Sequence, residues 1–287
     1  MIPITVVIVA FGVDSLDLSS VPKRWPIVLV HNDDRLRAEE IRISPDHPIE
    51  HLRGHGNVGF GAGANLGLTQ VATERVAFCN PDADLVEEHW EALAAGAPGE
   101  IVSVPMVDDD GRPAPVMNPY PRPLPLLLTG YRIGRLAARG TALRRVLERL
   151  LGRWGTGDAA SFVPGRRRLH QAWCSGAIFS VDTARALAIG GFDEGYFMYF
   201  EDVDFCLRLA DRFGDMIVRV APLAPARHAV GGSGGRGRAR TVVERHLVES
   251  AIRYAETARE AGRDGSNLGW RVTIAALRLR STWLGRR

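Results

Sequence analysis

The sequence predicts an α/β fold built on a mostly parallel sheet, and two observations carry that prediction. Ile4–Ala10 is a continuous β-branched and apolar run, which is typical of a strand buried on both faces. Strand-like runs then alternate with turns and helical segments over the first hundred residues, which favours a Rossmann-like half. The other predicted strands of this half are 26–30, 76–79 and 101–104, and its predicted helices are 64–73 and 87–95.

The composition limits the class of protein. The 287 residues are 46% hydrophobic and 24% charged, as in ordinary globular proteins. Three scattered cysteines argue against a disulfide framework or a structural zinc site and suit a reducing cytoplasm. No signal peptide precedes the first strand, and no apolar run approaches the ~20 residues that span a bilayer. We therefore expect a cytoplasmic protein that is soluble or peripheral to a membrane.

Positive charge is concentrated in two segments. Residues 122–168 contain eleven Arg against two acids, and residues 236–287 contain twelve Arg against five acids, although the net charge is only +3. Such segments indicate an anionic partner, for example a membrane surface, a lipid diphosphate or nucleic acid. Residues 143–153 form a basic amphipathic pattern, which predicts a helix that either packs on the domain or lies on a membrane. The helix predicted at 268–284 repeats the pattern, and another helix is predicted at 241–261.

Two further motifs are candidates for ligand binding, and the second follows a predicted strand, at the edge where open α/β sheets bind ligands. The glycine-rich stretch 54–67 either cradles a phosphate or lets a helix pack closely on the sheet. Asp82 and Asp84 follow the third strand, where two carboxylates can hold a hard divalent cation together with substrate phosphates. The alternative for these two residues is capping of the following helix.

The stretch 190–208, GGFDEGYFMYFEDVDFCLR, combines five carboxylates with six aromatic residues. Buried carboxylates need partners and aromatic rings favour burial, so a cleft wall fits both. The simpler interpretation is a loop entering a helix, with Glu201 and Asp202 favoured by the helix dipole. We expect the aromatic residues to line a pocket, and Asp204 and Arg208 to form a structural pair one turn apart.

The remaining elements are predicted less distinctly. Strand character returns at 173–181 and 216–220, with a helix at 182–189 that Gly190 and Gly191 end. Residues 105–125 are Pro-rich and predicted to be irregular. Residues 156–168 are predicted to be a loop that either orders over a phosphorylated ligand or stays disordered. His228 precedes a glycine-rich, Arg-bearing segment, so it is either an ordinary polar residue or a contact for metal or phosphate.

Taken in order, these motifs resemble family 2 glycosyltransferases with a GT-A fold, especially bacterial rhamnosyltransferase-like members of cell-wall and polysaccharide assembly. The segments that carry the resemblance are VVIVAF near the start, NVGFGAGAN at 57–65, NPDADL at 80–85, SGA at 175–177, the stretch 190–208, and His228. The resemblance implies a GT-A catalytic domain over 1–235 and a basic helical region over 236–287. Within the catalytic domain it implies a nucleotide-sugar half at about 1–117, a basic helical insertion at about 118–170 and an acceptor half at about 171–235.

The resemblance also implies roles for individual residues. Asp202 would be the general base, with Glu201 supporting it, and Asp82, Asp84 and His228 would hold Mg²⁺ or Mn²⁺ at the donor diphosphate. The residues expected to contact the substrates are Asn32, Asn57, Gly59, Phe60, Asn65, Asp82, Ser175, Gly176, Asp193, Glu194 and Arg208, with Asp193 and Glu194 bordering the acceptor. The chemistry agrees, because a metal neutralises the leaving diphosphate and one carboxylate takes the acceptor proton. One in-line displacement of this kind inverts the sugar.

The implied partners are a nucleotide-sugar donor, with dTDP-rhamnose as the first candidate and a UDP-sugar as another, and a glycan, lipid-linked or small-molecule acceptor. An anionic membrane surface and a second copy of the chain are further candidates. Nucleic acid is not expected, because no recognisable module accompanies the arginines. The family usually has an Asp before the Asn that ends the second strand, and His31 stands there instead. The base of the donor nucleotide therefore stays open.

Two other functions were weighed. A catalytically inactive nucleotide-binding or scaffolding relative at a membrane assembly would keep the fold, but the acids at 82, 84 and 202 and His228 are all present. A nucleotidyltransferase normally needs a Gly-rich basic loop directly after the first strand, and residues 11–18 are not one. The sequence thus favours the glycosyltransferase over both.

Overall fold

The computed structural model describes residues 4–131, 165–228 and 238–285, which belong to two compact units. The unit that we call the sheet unit contains the described residues of 4–119, 165–197 and 201–228. The helical unit contains residues 120–131, 198–200 and 238–285.

The secondary structure of the described residues follows chain order. The strands are β1 (Ile4–Ala10), β2 (Leu16–Asp17), β3 (Ile27–His31), β4 (Ile41–Arg42), β5 (Ile49–Leu52), β6 (Arg75–Cys79), β7 (Ala83–Asp84), β8 (Glu100–Ser103), β9 (Met106–Val107), β10 (Pro113–Ala114), β11 (Met117–Asn118), β12 (Gly165–Arg168), β13 (Trp173–Cys174), β14 (Ile178–Asp182), β15 (Ile217–Val220) and β16 (Ala226–His228). The helices are α1 (Phe60–Leu68), α2 (Glu87–Ala94), α3 (Pro123–Gly130), α4 (Thr183–Ala188), α5 (Glu201–Arg212), α6 (Arg238–Glu260) and α7 (Asn267–Leu284), and a 3₁₀ turn lies at Ala38–Glu40.

The central sheet has eight strands in the order β12-β15-β8-β14-β6-β1-β3-β5. Strand β1 pairs in parallel with β3 and β6, so that Val7 lies beside Val28 and Phe78. Strands β12 and β14 run antiparallel to the other six. Strands β1, β3 and β6 are buried along their whole length, as the continuous apolar run at the start of the chain predicts. The predicted α/β class with a mostly parallel central sheet is confirmed.

Four aromatic rings form the centre of the sheet unit. Phe78 and Phe179 lie on the neighbouring strands β6 and β14 and contact Phe192 and Phe205. Phe192 stacks on Phe205 with their ring centroids 4.5 Å apart, and all four rings are buried. The prediction of a pocket wall is therefore wrong for Phe192 and Phe205, because packing against other rings in the core buries their apolar surface fully.

The arginine triplet 166–168 lies in strand β12, not in a loop. The strand pairs with β15 at the edge of the sheet, and Arg166 forms an ion pair with the buried Glu100, which Arg219 also binds at 3.1 Å. The loop prediction is wrong here because charged side chains are common on an edge strand, so the triplet gives no apolar signal. The Pro-rich segment is likewise less irregular than predicted, since β9, β10, β11 and the start of α3 lie in it.

Helix α1 begins at Phe60 and ends at Leu68, earlier at both ends than predicted. It begins after Gly59, whose φ of 87° is accessible to glycine and whose missing Cβ leaves room for the carbonyl oxygen of Phe197. It ends where β-branched residues start to recur at Thr69 and Val71, because these lose rotamer freedom in a helix.

The helical unit is held together by α3, α6 and α7. Trp270 of α7 and Tyr254 of α6 are buried with their ring centroids 6.3 Å apart, and the hydroxyl of Thr273 donates a hydrogen bond to the carbonyl oxygen of Pro123 in α3. The two predicted C-terminal helices are confirmed as α6 and α7. The basic helix predicted at 143–153 lies outside the described residues. In the part of the chain that the structure describes, no helix has the length and apolar character needed to cross a membrane.

Candidate active site

The carboxyl ends of the parallel strands bring the candidate residues together. Strand β6 ends at Cys79, and the backbone N–H of Asn80 donates to the carbonyl oxygen of Ala177 at 2.8 Å. The Ser175-Gly176-Ala177 turn, which leads into the antiparallel strand β14, therefore lies beside the end of β6. Parallel β6 and antiparallel β14 thus place a strand end and a strand start at one edge.

Asp202 lies in the first turn of α5 and is held by two backbone amides. Its Oδ2 accepts a hydrogen bond from the N–H of Gly176 at 2.8 Å, and its Oδ1 accepts one from the N–H of Val203 at 2.8 Å. A side chain at residue 176 would crowd this contact, since a Cβ there would lie 3.1 Å from the Cβ of Asp202. Asp202 remains partly exposed, so a substrate hydroxyl can reach the unused lone pairs of its carboxylate.

Glu201 differs from Asp202 in its surroundings. It is buried, and its Oε2 has no hydrogen-bond partner. Burial raises the pKa of Glu201, and the neighbouring Asp202 charge raises it further. Burial also raises the pKa of Asp202, but the bonds from Gly176 and Val203 lower it, so Asp202 is the first of the two to ionise. The pair therefore combines a reachable carboxylate with a buried neutral acid.

Asp82 and His228 form a second polar pair at the same edge. Strand β16 pairs with β7, which places His228 opposite Ala83 and brings its Nε2 within 3.3 Å of Asp82 Oδ1. The amide of Asn80 lies 3.1 Å from the same nitrogen, and an N–H donated there requires a lone pair on Nε2. Capping does not explain the acids, because the N-cap of α2 is Val86.

The donor set of this pair suits a hard divalent cation whose coordination is completed by substrate. An imidazole nitrogen and a carboxylate oxygen face each other, and Mg²⁺ commonly takes one or two protein carboxylates with substrate phosphates. In the described residues, no third His, Cys, Asp or Glu side chain joins them in a cluster of metal-binding geometry. Asp84, the other carboxylate of the motif, is exposed and lies opposite Arg227.

A continuous path of contacts joins the two pairs. Asp202 binds the amide of Gly176, the next residue Ala177 accepts from the backbone of Asn80, and the side chain of Asn80 binds His228. Sequence reasoning did not select Asn80 as a site residue. The signal for it was its position, since it immediately follows the buried strand that ends at Cys79.

The glycine-rich stretch lies against the segment that precedes α5. The N–H of Gly59 donates to the side-chain oxygen of Asn57 at 3.1 Å. The N–H of Phe60 donates to the carbonyl oxygen of Phe197 at 3.2 Å. A Cβ on Gly61 would lie 3.5 Å from the Cβ of Glu201. The predicted nucleotide segment thus lies directly beside the predicted catalytic acids.

Asn65 connects α1 to the loop that contains Asp193 and Glu194. Its side chain accepts from the N–H of Phe192 at 2.8 Å and donates to the Phe192 carbonyl at 2.9 Å and to Glu194 at 3.0 Å. Asp193 accepts from the N–H of Gly195 at 2.9 Å and so shapes its own loop. These bonds give Asn65 a positioning role.

The structural pair predicted on α5 is confirmed. Arg208 donates from Nε to Asp204 at 2.6 Å and from Nη1 to the carbonyl oxygen of Ile189 at 2.7 Å. Asp204 is buried, so this pair stabilises the packing of α5. The contacts therefore give Arg208, a predicted substrate contact, a structural role.

His31 and Asn32 end strand β3 and are both buried. His31 Nε2 lies 3.0 Å from Nδ1 of His51, and Asn32 donates to the carbonyl oxygen of Gly59 at 2.9 Å and contacts His55 at 3.2 Å. Burial, with Arg53 and His51 nearby, lowers the pKa of His31 to about 4. Sequence reasoning missed His51, which lies outside any recognised motif, and it missed His55, although His55 lies within the glycine-rich stretch.

Comparison with known proteins places this site in context. No family model matches the chain. Rhamnosyltransferase WbbL of Escherichia coli (strain K12) is 50% identical over 38 residues, which is 13% of this chain and 14% of WbbL. The aligned part thus spans only a small fraction of that curated relative. This match agrees with the rhamnosyltransferase-like resemblance of the motifs.

Three solved structures are similar to this chain, with 12–15% sequence identity. The mannosyltransferase PcManGT from Pyrobaculum calidifontis, in complex with GDP-Man and Mn²⁺, has a TM-score of 0.49 over 99% of this chain and 72% of that chain. GalNAc-T7 with UDP, GalNAc and Mn²⁺ has a TM-score of 0.48 over 79% and 44%. TarS 1–349 of S. aureus has a TM-score of 0.46 over 96% and 70%. The fold assignment rests on the sheet topology described above.

Proposed function

We propose that this chain is an inverting glycosyltransferase that moves a sugar from a nucleotide-sugar to an acceptor hydroxyl. The observation that carries the proposal is the partly exposed Asp202 carboxylate, joined through Gly176, Ala177 and Asn80 to the Asp82–His228 pair. A base and a cation-binding pair at one sheet edge are what displacement of a nucleoside diphosphate by a hydroxyl needs.

Asp202 is the residue that accepts the proton of the attacking hydroxyl. The Gly176 amide fixes its orientation, and its raised pKa brings it closer to the pH at which it must take up a proton. Glu201 stays protonated behind it, because burial and the Asp202 charge both raise its pKa. A single accessible base favours one in-line displacement and therefore inversion at the anomeric carbon.

Asp82 and His228 would hold Mg²⁺ or Mn²⁺, with Asp84 as a further carboxylate of the same motif. When bound, such a cation neutralises the charge that develops on a leaving diphosphate. The Asn80 side chain contacts Nε2 of His228 at 3.1 Å, and its backbone links the set to the turn that holds Asp202.

The donor is proposed to be a dTDP- or UDP-sugar, with dTDP-rhamnose first because the short curated match is to a rhamnosyltransferase. The acceptor class is a glycan, a lipid-linked sugar or a small molecule. A GT-A domain over 1–235 and a basic helical region over 236–287 remain our proposed organisation. A cytoplasmic location at the inner face of the membrane and a homodimer remain predictions.

The test uses purified protein with a panel of dTDP-, UDP- and GDP-sugars and Mg²⁺ or Mn²⁺. Ligand-induced stabilisation identifies the donor. Turnover is measured as the nucleoside diphosphate that is released when the sugar passes to water or to an acceptor. Asp202→Asn is expected to lower turnover by roughly 10²–10⁴-fold while donor binding stays intact. Asp211→Asn, an exposed acid on the same helix, serves as the matched control and is expected to keep activity.

The alternative is an inactive nucleotide-binding protein, and the same panel separates the two. Stabilisation by a nucleotide-sugar without release of nucleoside diphosphate under any condition supports the inactive protein. Near-normal turnover of Asp202→Asn would instead show that another group is the base. The anomeric configuration of the product, determined by NMR, tests inversion.

A further inference from the structure

We infer that the outward face of α7 docks on an anionic membrane surface. Four large apolar side chains on this helix are exposed: Leu268 by 71%, Val272 by 54%, Leu279 by 73% and Trp283 by 45%. They are spaced four, seven and four residues apart, which places them along one side of an α-helix. We call these four residues the outer stripe.

The outer stripe is separate from the face that packs inside the helical unit. Trp270, Ile274 and Leu277 are buried, and they lie at helical spacing on the other side of α7. Packing within the unit therefore accounts for one apolar face and leaves the other exposed. A continuous row of large apolar side chains on a surface usually marks a contact with a partner or a membrane.

The charge around the stripe identifies the partner. After Asp264 the sequence contains five Arg and no acidic residue. Arg271 and Arg278 are exposed on α7 beside the stripe. Arg278 also forms an ion pair with Glu256 of α6, so the net positive charge of this border comes from Arg271. An apolar stripe bordered by arginines fits anionic lipid, in which the apolar side chains enter the interface and the arginines meet headgroups.

A second copy of the chain fits this face less well. Two copies that met stripe to stripe would bring their arginine borders together, and like charges across an interface oppose association. Trp283 also suits the lipid interface, because an indole ring buries its apolar body while its N–H stays near water. This inference rests on the helical unit alone, so it can fail or hold independently of the proposed activity.

The experiment is co-sedimentation of the full chain with vesicles of phosphatidylcholine alone and with added phosphatidylglycerol. We expect at least about tenfold tighter binding to the anionic vesicles, weakening as salt is raised. A Val272→Asn/Leu279→Asn double variant is expected to lose roughly tenfold or more, because both side chains lie on the stripe. Leu187→Asn, a similarly exposed leucine on α4, is the matched control and is expected to bind as the wild type does.

Three further variants test the assignment. Arg271→Gln is expected to flatten the salt dependence, whereas Arg167→Gln on β12 is expected to leave it unchanged. Brominated lipids should quench tryptophan fluorescence, and Trp283→Phe should reduce the quenched fraction. Each outcome is read together with the unfolding temperature, which these exposed positions are expected to leave within a few degrees.

Three results would overturn the inference. Equal binding to both kinds of vesicle would exclude an anionic surface as the partner of the stripe. Unchanged binding of the double variant would assign any lipid contact to another part of the chain. A concentration-dependent dimer in sedimentation analysis that the double variant abolishes would show that the stripe meets a second copy instead.

Discussion

The amide of Gly176 and the carboxylate of Asp202 are 2.8 Å apart, and this hydrogen bond connects the turn before β14 to the first turn of α5. The two residues come from different sequence motifs, each weak alone. Their contact places the two motifs in one site, because the turn sets the position of the base. It also makes Gly176 a sensitive point in the site.

Gly176→Ala should lower kcat about ten- to a hundredfold with little change in donor binding. The new Cβ would lie 3.1 Å from the Cβ of Asp202 and 3.4 Å from its Oδ2, so the carboxylate must move by a few tenths of an ångström. Small misplacements of a reacting group are costly in rate. Gly214→Ala is the matched control, since nothing lies within 4 Å of a Cβ there. A Gly176→Ala enzyme with wild-type kcat would show that the turn does not position the base.

Glu201→Gln should stabilise the protein, and increasingly so as the pH rises above 4.5, the ordinary pKa of a glutamate. The folded state holds the Glu201 proton more tightly than the unfolded state does, because burial raises the pKa. The wild type therefore loses free energy of unfolding as the pH rises, and a neutral glutamine does not. Denaturant unfolding at pH 4, 6 and 8 measures the difference.

The exposed Glu88→Gln is the control for that measurement. If the stability difference between Glu201→Gln and the wild type does not change with pH, the Glu201 carboxyl is not held neutral by its surroundings.

The sequence was informative where a physical signal was local. The run at Ile4–Ala10 predicted the buried parallel strand, and the i,i+4 spacing of Asp204 and Arg208 predicted their pair. Strand β5 was not predicted, because its pattern is polar at an edge and carries little apolar periodicity. The strand character of the arginine triplet was hidden for the same reason.

The site could be predicted only in part, because packing between distant parts of the chain assembles it. The Asp82–His228 pair joins residues almost 150 positions apart through the pairing of β7 with β16, two strands too short to show any periodicity. The aromatic residues of 190–208 carried a real signal of burial, but their number could not distinguish a core from a pocket wall. Only the contacts of Phe192 with Phe78 and Phe205 decide that.

Asp82→Asn and His228→Gln should each weaken the dependence of nucleoside diphosphate binding on Mn²⁺ by about tenfold or more. Each removes one member of the 3.3 Å donor pair, and ligand loss commonly lowers metal affinity. Calorimetric titration with and without Mn²⁺ measures the effect, and chelation should abolish turnover of the wild type. The exposed His170→Gln is the control. Equal Mn²⁺ dependence in all three proteins would place the cation elsewhere.

His31→Gln tests the buried imidazole at the end of β3. Burial, with Arg53 and His51 nearby, lowers the pKa of His31 from 6.5 to about 4. The unfolded chain therefore takes up a proton below pH 6.5 that the folded chain does not, so the stability due to His31 is complete above pH 6.5 and is lost as the pH falls toward 4. Glutamine does not titrate, so the variant lacks this loss.

We expect the wild type to lose more free energy of unfolding than His31→Gln between pH 7 and pH 4.5, measured by denaturant unfolding at several pH values. The exposed His170→Gln is the control. Parallel pH profiles for the wild type and His31→Gln would mean that His31 takes up a proton in the folded state as readily as in the unfolded state.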